Sequence, residues 1–321
     1  MNLEAMLAKC ERDQWQIEDL DWSVKPRAME RDEEIAIVQY FTDMAGIELL
    51  AGALFEEQAK RVDDPTLKRI FETFVIDERR HSEVAARLAA HYDVHRYRNY
   101  QRNENLVRFH PHFVHAIRYV SAEVANAYIT GGELLLDVAL LRSLNDYVHD
   151  EMSEQAMRLI NRDESRHIAV DFHMVEYYAS DAYQEKLADL PARSGADHAR
   201  AAWALSNLFY YAGPFFRAVL FEPLARVDPS GDRMREAFKR LQLIAARPRV
   251  KERPFWRTYW LGRQVFTDRY LSRLLGKPVQ RIAGLPDPLM SDLYDERELS
   301  RSRAKSLQEL ADETVALKEA S

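Results

Sequence analysis

The sequence predicts an all-α protein built around a bundle of four long helices, with additional helices towards the C-terminus. Glycine and proline are scarce, with 10 and 12 residues in a chain of 321, whereas an all-β chain needs many turns. Apolar residues recur at helical spacing through most of the first 180 positions. Long stretches of alternating polar and apolar residues, which would indicate strands, are absent from the sequence.

Four segments account for the predicted bundle, which spans residues 30–180. The four helices are predicted over residues 30–62, 65–92, 112–144 and 147–178. Asp64 followed by Pro65 is typical of the start of a helix, and Asn145 and Asp146 are suited to cap the fourth. Each helix is close to 30 residues long, well above the average of about 11–12. Long helices joined by short or medium connections favour a four-helix bundle.

Three further regions flank this bundle. Residues 1–29 are predicted to form an N-terminal helical extension, and residues 295–321 a charged C-terminal tail. Residues 181–294 are predicted to form additional helices packed on the bundle, with Gly213 and Pro214 breaking one helix from the next.

Composition excludes several classes of protein. The formal net charge is −7, so a basic surface for nucleic acid is not expected. The single cysteine, Cys10, excludes a disulfide framework and an iron–sulfur centre within the chain. The N-terminus lacks the pattern of a signal peptide, and no run of about 18 apolar residues is present. We therefore expect a cytoplasmic protein that neither crosses a membrane nor binds nucleic acid.

Two segments, in the predicted second and fourth helices, share the pattern Asp-Glu-x-Arg-His. One contains Glu78 and His81, and the other contains Glu164 and His167. A spacing of three residues places the carboxylate and the imidazole on one helix face, one turn apart. A single Glu-x-x-His is most often part of a solvated helix face. Two copies, each near the centre of a long helix, indicate two helices that supply ligands to one metal cluster.

Each of these helices follows one that carries a lone carboxylate within an apolar segment. Glu48 lies 30 positions before Glu78, and Glu133 lies 31 positions before Glu164. A buried carboxylate is costly unless it is paired or binds a metal. Antiparallel helices bring residues that are equidistant from their connecting turn to one level. We therefore expect Glu48 beside Glu78, and Glu133 beside Glu164.

These six residues resemble the ligand set of the ferritin-like di-iron carboxylate superfamily, in which two helices each supply Glu and two supply Glu-x-x-His. The resemblance covers residues 30–180. It implies two Fe ions, or a manganese–iron pair, since oxygen and imidazole ligands suit both metals. The glutamates of the two Glu-x-x-His motifs would bridge the metals. Glu48 with His81, and Glu133 with His167, would each complete the coordination of one metal.

Residues within the two motifs extend the resemblance. Asp77 and Asp163 resemble the superfamily's aspartates that accept the free ring N–H of a metal-bound histidine, which fixes its tautomer and orients the ring. Arg80 and Arg166 would neutralise these buried aspartates. The alternative is that all four are surface charges beside a motif.

Small residues lie next to one expected ligand. Gly131 and Gly132 precede Glu133, and glycine within a helix costs about 1 kcal/mol relative to alanine. They either leave room for O2 and substrate, mark a distorted helix, or allow close helix packing. Asp137 lies one turn after Glu133 and is the candidate catalytic residue. It would carry protons or add a metal ligand, or it would only pair with an arginine.

In length and in ligand spacing the chain is most similar to the p-aminobenzoate N-oxygenase-like di-iron oxygenases, although Ile160 stands where that family has an additional histidine. The resemblance implies an oxidoreductase, monooxygenase-like, with O2 as co-substrate. Hydroxylation, N-oxygenation or desaturation of a small or apolar organic substrate would be its reaction. Electrons would come from a separate ferredoxin or reductase, because the sequence has no nucleotide-binding motif.

Two further expectations concern the partner and the alternative function. Large helical faces predict a homodimer. The alternative function is a non-catalytic or ferroxidase-type protein of the same fold that binds iron or manganese. A buried cavity between the metals and residues 200–275 would favour the enzyme over this alternative.

Overall fold

The computed structural model describes residues 1–189, 193–268, 270–277, 289 and 291–319. All regular elements in these residues are helical, so the prediction of an all-α protein is confirmed. In chain order the α-helices are α1 (Leu3–Arg12), α2 (Arg31–Ala59), α3 (Pro65–Tyr92), α4 (Glu104–Ile117), α5 (Ala122–Glu133), α6 (Arg142–Val148), α7 (Glu151–Tyr178), α8 (Asp181–Ala188), α9 (Gly195–Phe215), α10 (Glu222–Val227), α11 (Asp232–Ala245), α12 (Pro248–Lys251), α13 (Pro254–Thr267), α14 (Glu296–Ala304) and α15 (Leu307–Glu319). A 3-10 helix, Ile17–Asp19, and π-helices Leu134–Leu141, Phe216–Phe221 and Ser272–Gly276 complete the set.

Four long helical spans form the centre of the protein. α2 packs along the length of α3, and α7 contacts both α3 and α5. α5 also contacts α2 and continues without a break into the π-helix Leu134–Leu141 and then into α6. The additional helices cover this centre, with α9 against α4 and α11 against the π-helix.

The start of α3 agrees with the prediction. The Asp64 side chain accepts the backbone N–H of Leu67 at 2.9 Å, and Pro65 occupies the first turn. An N-terminal cap and a proline at this position both favour helix initiation, because they use backbone donors that the helix itself leaves unpaired. The predicted bounds, 65–92, are those of the observed helix.

The predicted third helix, over 112–144, is wrong at both ends. Its first residues belong to α4, which is a separate helix. The chain breaks before Ser121, whose hydroxyl accepts the backbone N–H of Val124 at 3.2 Å and caps α5. The span then continues to Val148, four residues past the predicted end.

The start of the fourth helix also differs from the prediction. Asn145 and Asp146 lie within α6 rather than capping the next helix. His149 takes a left-handed conformation with φ of 47° and ends α6. Asp150 then accepts the backbone N–H of Met152 at 3.0 Å and caps α7.

The predicted break at Gly213 and Pro214 is wrong. Both residues lie within α9, and the chain continues directly into the π-helix Phe216–Phe221 and then α10. Proline removes one backbone hydrogen bond from a helix. Here the wider turns of a π-helix follow the proline directly, so the helix changes its winding at this point without ending.

The charged C-terminal region contains two helices, α14 and α15, and residues 320–321 lie outside the described part. α15 packs on α7 and buries Leu307, Leu310 and Ala311. The apolar positions of this segment are few, but their helical spacing is sufficient to dock the helix on the protein.

Two spans, Arg31–Ala59 and Ala122–Val148, are long and apolar enough to cross a membrane by length and composition. In each, 72% of the apolar window is buried inside the protein. Core helices of globular proteins have the same composition, so burial accounts for the apolar character. The cytoplasmic location remains a prediction.

Buried apolar side chains form two clusters. Along α7, Ile160 belongs to one cluster and Ile168 to the other, and along α3 the clusters include Val84 and Phe74 respectively. The residues between these positions on both helices are the two Asp-Glu-x-Arg-His motifs. The motifs therefore lie at one level, enclosed by apolar side chains on both sides.

Candidate metal centre

The structure brings the six predicted ligands together at this level, and all of them are buried. They form two groups, within each of which the ligand atoms all lie within 4.8 Å of one another. One group contains Glu48, Glu78, His81 and Glu164, and the other contains Glu78, Glu133, Glu164 and His167. Glu78 and Glu164 belong to both groups. The arrangement is compatible with two metal ions that share these two carboxylates.

The two histidines point the same ring nitrogen at the shared carboxylates. Nδ1 of His81 lies 2.9 Å from Glu164 Oε1 and 3.9 Å from Glu78 Oε2. Nδ1 of His167 lies 2.8 Å from Glu164 Oε2 and 3.1 Å from Glu78 Oε1. Each histidine therefore faces a carboxylate of its own helix and one of the opposite helix.

Burial and mutual repulsion dominate the electrostatics of the carboxylates. Burial, reinforced by the charge of Glu164, raises the pKa of Glu48 to about 7. Burial and the same neighbour raise the pKa of Glu78 and of Glu133 well above the usual range. Burial also opposes ionisation of Glu164, but the charges of His167 and His81 and the hydrogen bonds from them together outweigh it and hold the pKa of Glu164 well below its usual range.

The histidines shift in the opposite sense. Burial opposes protonation of both rings, yet the neighbouring carboxylates overcome it. The pKa of His81 is raised well above its usual value by Asp163 and Glu164. The pKa of His167 is raised to about 9, chiefly by Glu164. Without a metal, the centre therefore holds protons that a bound metal would displace.

The donor set fits divalent metals. Both oxygens of Glu78, Oε2 of Glu164 and the Nδ1 atoms of His81 and His167 are buried, and although they lie close to one another, none of them makes a hydrogen bond of acceptable geometry among the described residues. Such orphaned atoms are costly unless something binds them. Four ionised carboxylates would carry the charge that two divalent cations neutralise, and oxygen with imidazole suits iron or manganese.

A network of two aspartates and two arginines supports the histidines. Asp163 accepts from His81 Nε2 at 3.1 Å, and Oδ2 of Asp77 lies 3.5 Å from His167 Nε2. Each aspartate therefore faces the histidine of the opposite helix, so the two motifs are crossed. The alternative of four solvated surface charges does not apply, because all four side chains of the network are buried.

The arginines tie the two aspartates together. Arg80 donates to Asp77 and, at 2.9 Å, to Asp163. Arg166 donates to Asp163 at 2.7 Å and to Asp77 at 3.4 Å. Burial opposes ionisation of Asp163, but the hydrogen bond from His81 and the charges around it keep its pKa well below the usual range.

Two residues of the N-terminal extension complete this network and were not predicted. Trp15 Nε1 donates to Asp163 at 2.7 Å. Gln14 donates to Asp77 at 3.1 Å and accepts from Arg80 at 2.7 Å. No local pattern in the sequence indicates these contacts, because the partners lie more than 60 positions away in the chain.

Asp137 is buried in the π-helix that follows Glu133, and it belongs to neither ligand group. Its charge adds to the burial that raises the pKa of Glu133 and of Asp171. Its catalytic role remains a prediction. Asp171 is a further buried carboxylate with no hydrogen-bond partner for either oxygen among the described residues. Its position four residues after His167 is the signal that would have indicated it.

Glycines near the ligands serve two different purposes. A Cβ at Gly52 would lie 3.2 Å from Cβ of Glu78, so this glycine allows α2 and α3 to approach closely. A Cβ at Gly132 would have nothing within 4 Å. The sequence alone allows three explanations for the glycines before Glu133. The open space at Gly132 agrees with room beside the ligand, and the π-helix directly after Glu133 agrees with a distorted helix. π-Helical turns occur frequently at functional sites.

A cavity of about 260 Å³ adjoins the ligands, with Gly132 and Glu133 in its wall. The other walls come from α2, α4, the π-helices after α5 and α9, α11 and α13. Nine aromatic side chains belong to the described lining: Phe109, Phe113, Tyr128, Phe215, Phe216, Phe238, Phe255, Trp256 and Tyr259. It lies between the ligands and residues 200–275, the position at which a buried cavity would favour the enzyme over the alternative.

Ile160 stands where the N-oxygenase family has an additional histidine. Its side chain is buried in an apolar cluster, so this position supplies no metal ligand. Comparison with known proteins identifies no family: no protein-family model, curated protein or solved structure matches this chain.

Proposed function

We propose that this protein is a non-haem di-iron oxygenase with a ferritin-like four-helix bundle, an oxidoreductase that acts on an organic substrate with O2. The observation that carries the proposal is the cavity in whose wall Glu133 lies. Two metals alone would serve storage as well as catalysis. Oxidation of an organic substrate requires, in addition, an apolar cavity beside the metal ligands in which the substrate can bind.

The residues that would hold the metals follow from the two groups. Glu78 and Glu164 would bridge the ions, with Glu48 and His81 completing one site and Glu133 and His167 the other. Two ferrous ions, when bound, supply the electrons and the Lewis acidity for reduction of O2. A manganese–iron pair would fit the same donor set.

The chain itself contributes orientation and exclusion of water. Asp163 holds the His81 ring through its Nε2, and Asp77, 3.5 Å from His167 Nε2, would hold the second ring in the same way once a metal is bound, so that Nδ1 of each faces the metal position. The apolar walls keep the substrate beside Glu133 in a medium of low polarity, which strengthens electrostatic interactions there. Asp137, one turn further along, would deliver or accept protons. A separate ferredoxin or reductase would restore the reduced metals.

Anaerobic titration with ferrous iron tests the first half of this proposal. We expect saturation near two irons per chain, and saturation at one or an absence of binding would refute the two-metal site. Exposure of the loaded protein to O2 with and without organic compounds tests the second half. Product that carries oxygen from O2 would support the oxygenase, whereas oxidation of many irons per chain into a mineral would favour the storage alternative.

A further inference from the structure

The wall of the cavity carries no positive charge. Among its described lining residues there is no lysine, arginine or histidine, and Glu133 is the sole carboxylate. Tyr128 and Tyr259 also belong to the lining. Burial raises the pKa of Tyr128 and raises that of Tyr259 to about 12, so both phenols are neutral at pH 7. In the metal-free protein, an anionic group inside the cavity would therefore find no cationic side chain in the lining to pair with.

The volume of the cavity sets how much of an occupant the apolar walls can enclose. A buried apolar cavity of about 150 Å³ lined by similar side chains holds benzene, which has six carbon atoms. In proportion, a cavity of about 260 Å³ holds roughly ten carbon atoms. This is the size of a fused two-ring aromatic, a monoterpene or a ten-carbon chain.

We infer that the cavity binds an uncharged, hydrocarbon-like substrate of about ten carbon atoms and rejects carboxylates of the same shape. Aromatic walls from three different helices, represented by Phe109, Phe215 and Phe255, favour a flat ring system through edge and face contacts. This inference deepens the function proposed above and rests on it for the reaction. The binding that it describes does not itself require a metal.

Two compounds of matched shape test the inference, 2-methylnaphthalene and 2-naphthoate. Binding of each to the full-length, metal-free protein is measured by calorimetry, so that no bound metal can pair with the carboxylate. Burial of an unpaired carboxylate is costly, so we expect 2-naphthoate to bind at least about 100-fold more weakly than 2-methylnaphthalene. Affinities within threefold of each other would overturn the inference.

A variant at Gly132 locates the binding. Leucine at this position has open space for its Cβ on the cavity wall and improves helix propensity. We expect Gly132→Leu to weaken 2-methylnaphthalene binding at least about tenfold, because the new side chain occupies space that the ligand needs. Gly195→Leu is the control, since Gly195 also has open space around its Cβ and lies outside the lining. Parent-like binding by Gly132→Leu would overturn the assignment to this cavity.

A second variant keeps the test decisive if Gly132→Leu does not fold. Leu241 of α11 lines the cavity opposite Gly131, 3.7 Å from the position of a Cβ there. Leu241→Ala should enlarge the chamber and shift the preference from 2-methylnaphthalene towards anthracene. An unchanged preference in a folded Leu241→Ala protein would overturn the size argument.

The outcomes also separate this inference from the proposed function. If the iron-loaded protein binds the neutral probe selectively but never oxidises a bound compound, the oxygenase proposal fails and the binding inference stands. If it oxidises carboxylates as readily as neutral compounds, the oxygenase stands and the binding inference fails.

Discussion

Replacement of Asp163 by asparagine should weaken both the fold and iron binding, because this carboxylate is saturated with donors. Its Oδ2 accepts from Trp15, Arg80 and His81, and its Oδ1 accepts from Arg166. A carboxylate offers about four acceptor sites, so an asparagine NH2 group must face at least one donor in either orientation. The substitution also removes one of the two aspartate charges that the buried Arg80 and Arg166 share, so that Asp77 alone remains to pair with both.

The magnitude follows from the burial of these groups. Removal of one partner from a buried ion pair typically costs about 3–5 kcal/mol, and loss of a support behind a metal-bound histidine weakens metal affinity by about 10–100-fold. Asp77→Asn should cost less, since its contacts with Arg166 and His167 are longer, at 3.4 and 3.5 Å. Trp15→Phe should cost least, about 1.5–3 kcal/mol, because it removes a single hydrogen bond to a charged group and keeps an aromatic ring beside the Arg80 guanidinium, which lies 4.7 Å from the Trp15 ring.

Denaturant unfolding of the metal-free variants and anaerobic ferrous titration measure the two effects separately. Glu56→Gln is the control, since the Lys60–Glu56 pair is solvent-exposed at 2.9 Å and such pairs contribute less than about 1 kcal/mol. Parent-like stability and iron affinity in Asp163→Asn would refute the support role. An order in which Trp15→Phe costs more than Asp163→Asn would refute the donor-counting argument.

The metal-free protein should become less stable as pH rises from 5 to 9. Groups with a raised pKa, such as Glu48 at about 7 and His167 at about 9, bind protons more strongly in the folded than in the unfolded protein. Glu48 alone would contribute about 3 kcal/mol of stability that is lost over this range. Urea unfolding at several pH values measures this dependence, and a rise in stability with pH would contradict it. For the same reason ferrous binding should release protons, and the apparent affinity should fall as pH falls, which calorimetry in buffers of different ionisation enthalpy measures. Gly132→Leu should retain close to two irons per chain by metal analysis, since its Cβ meets open space, and loss of iron would show that this glycine serves packing. Gly52→Val should lose iron affinity and about 1–3 kcal/mol of stability, because a Cβ at Gly52 already lies 3.2 Å from Glu78; unfolding and titration that match the parent would contradict the close-packing role.

Local periodicity was enough to place the six candidate ligands, because helical spacing relates neighbours on one helix face. Glu78 and His81 share a face by that spacing alone, and Glu48 meets them because it is as far from the connecting turn as Glu78 is. Helix ends were less predictable. Ser121 and Asp150 resemble many other polar residues in the chain, and only the packed structure selects which of them caps a helix.

The sequence by itself determined the helical class and the level at which carboxylates and imidazoles converge, since both depend on residues a few turns apart. Tertiary structure alone decided that Asp163 supports His81 of the opposite helix and that Trp15 reaches it from the N-terminal extension. It also decided that α9, α11 and α13 close an apolar cavity over Glu133. These contacts join residues that are distant in the chain, and their geometry follows from how whole helices pack rather than from any local pattern.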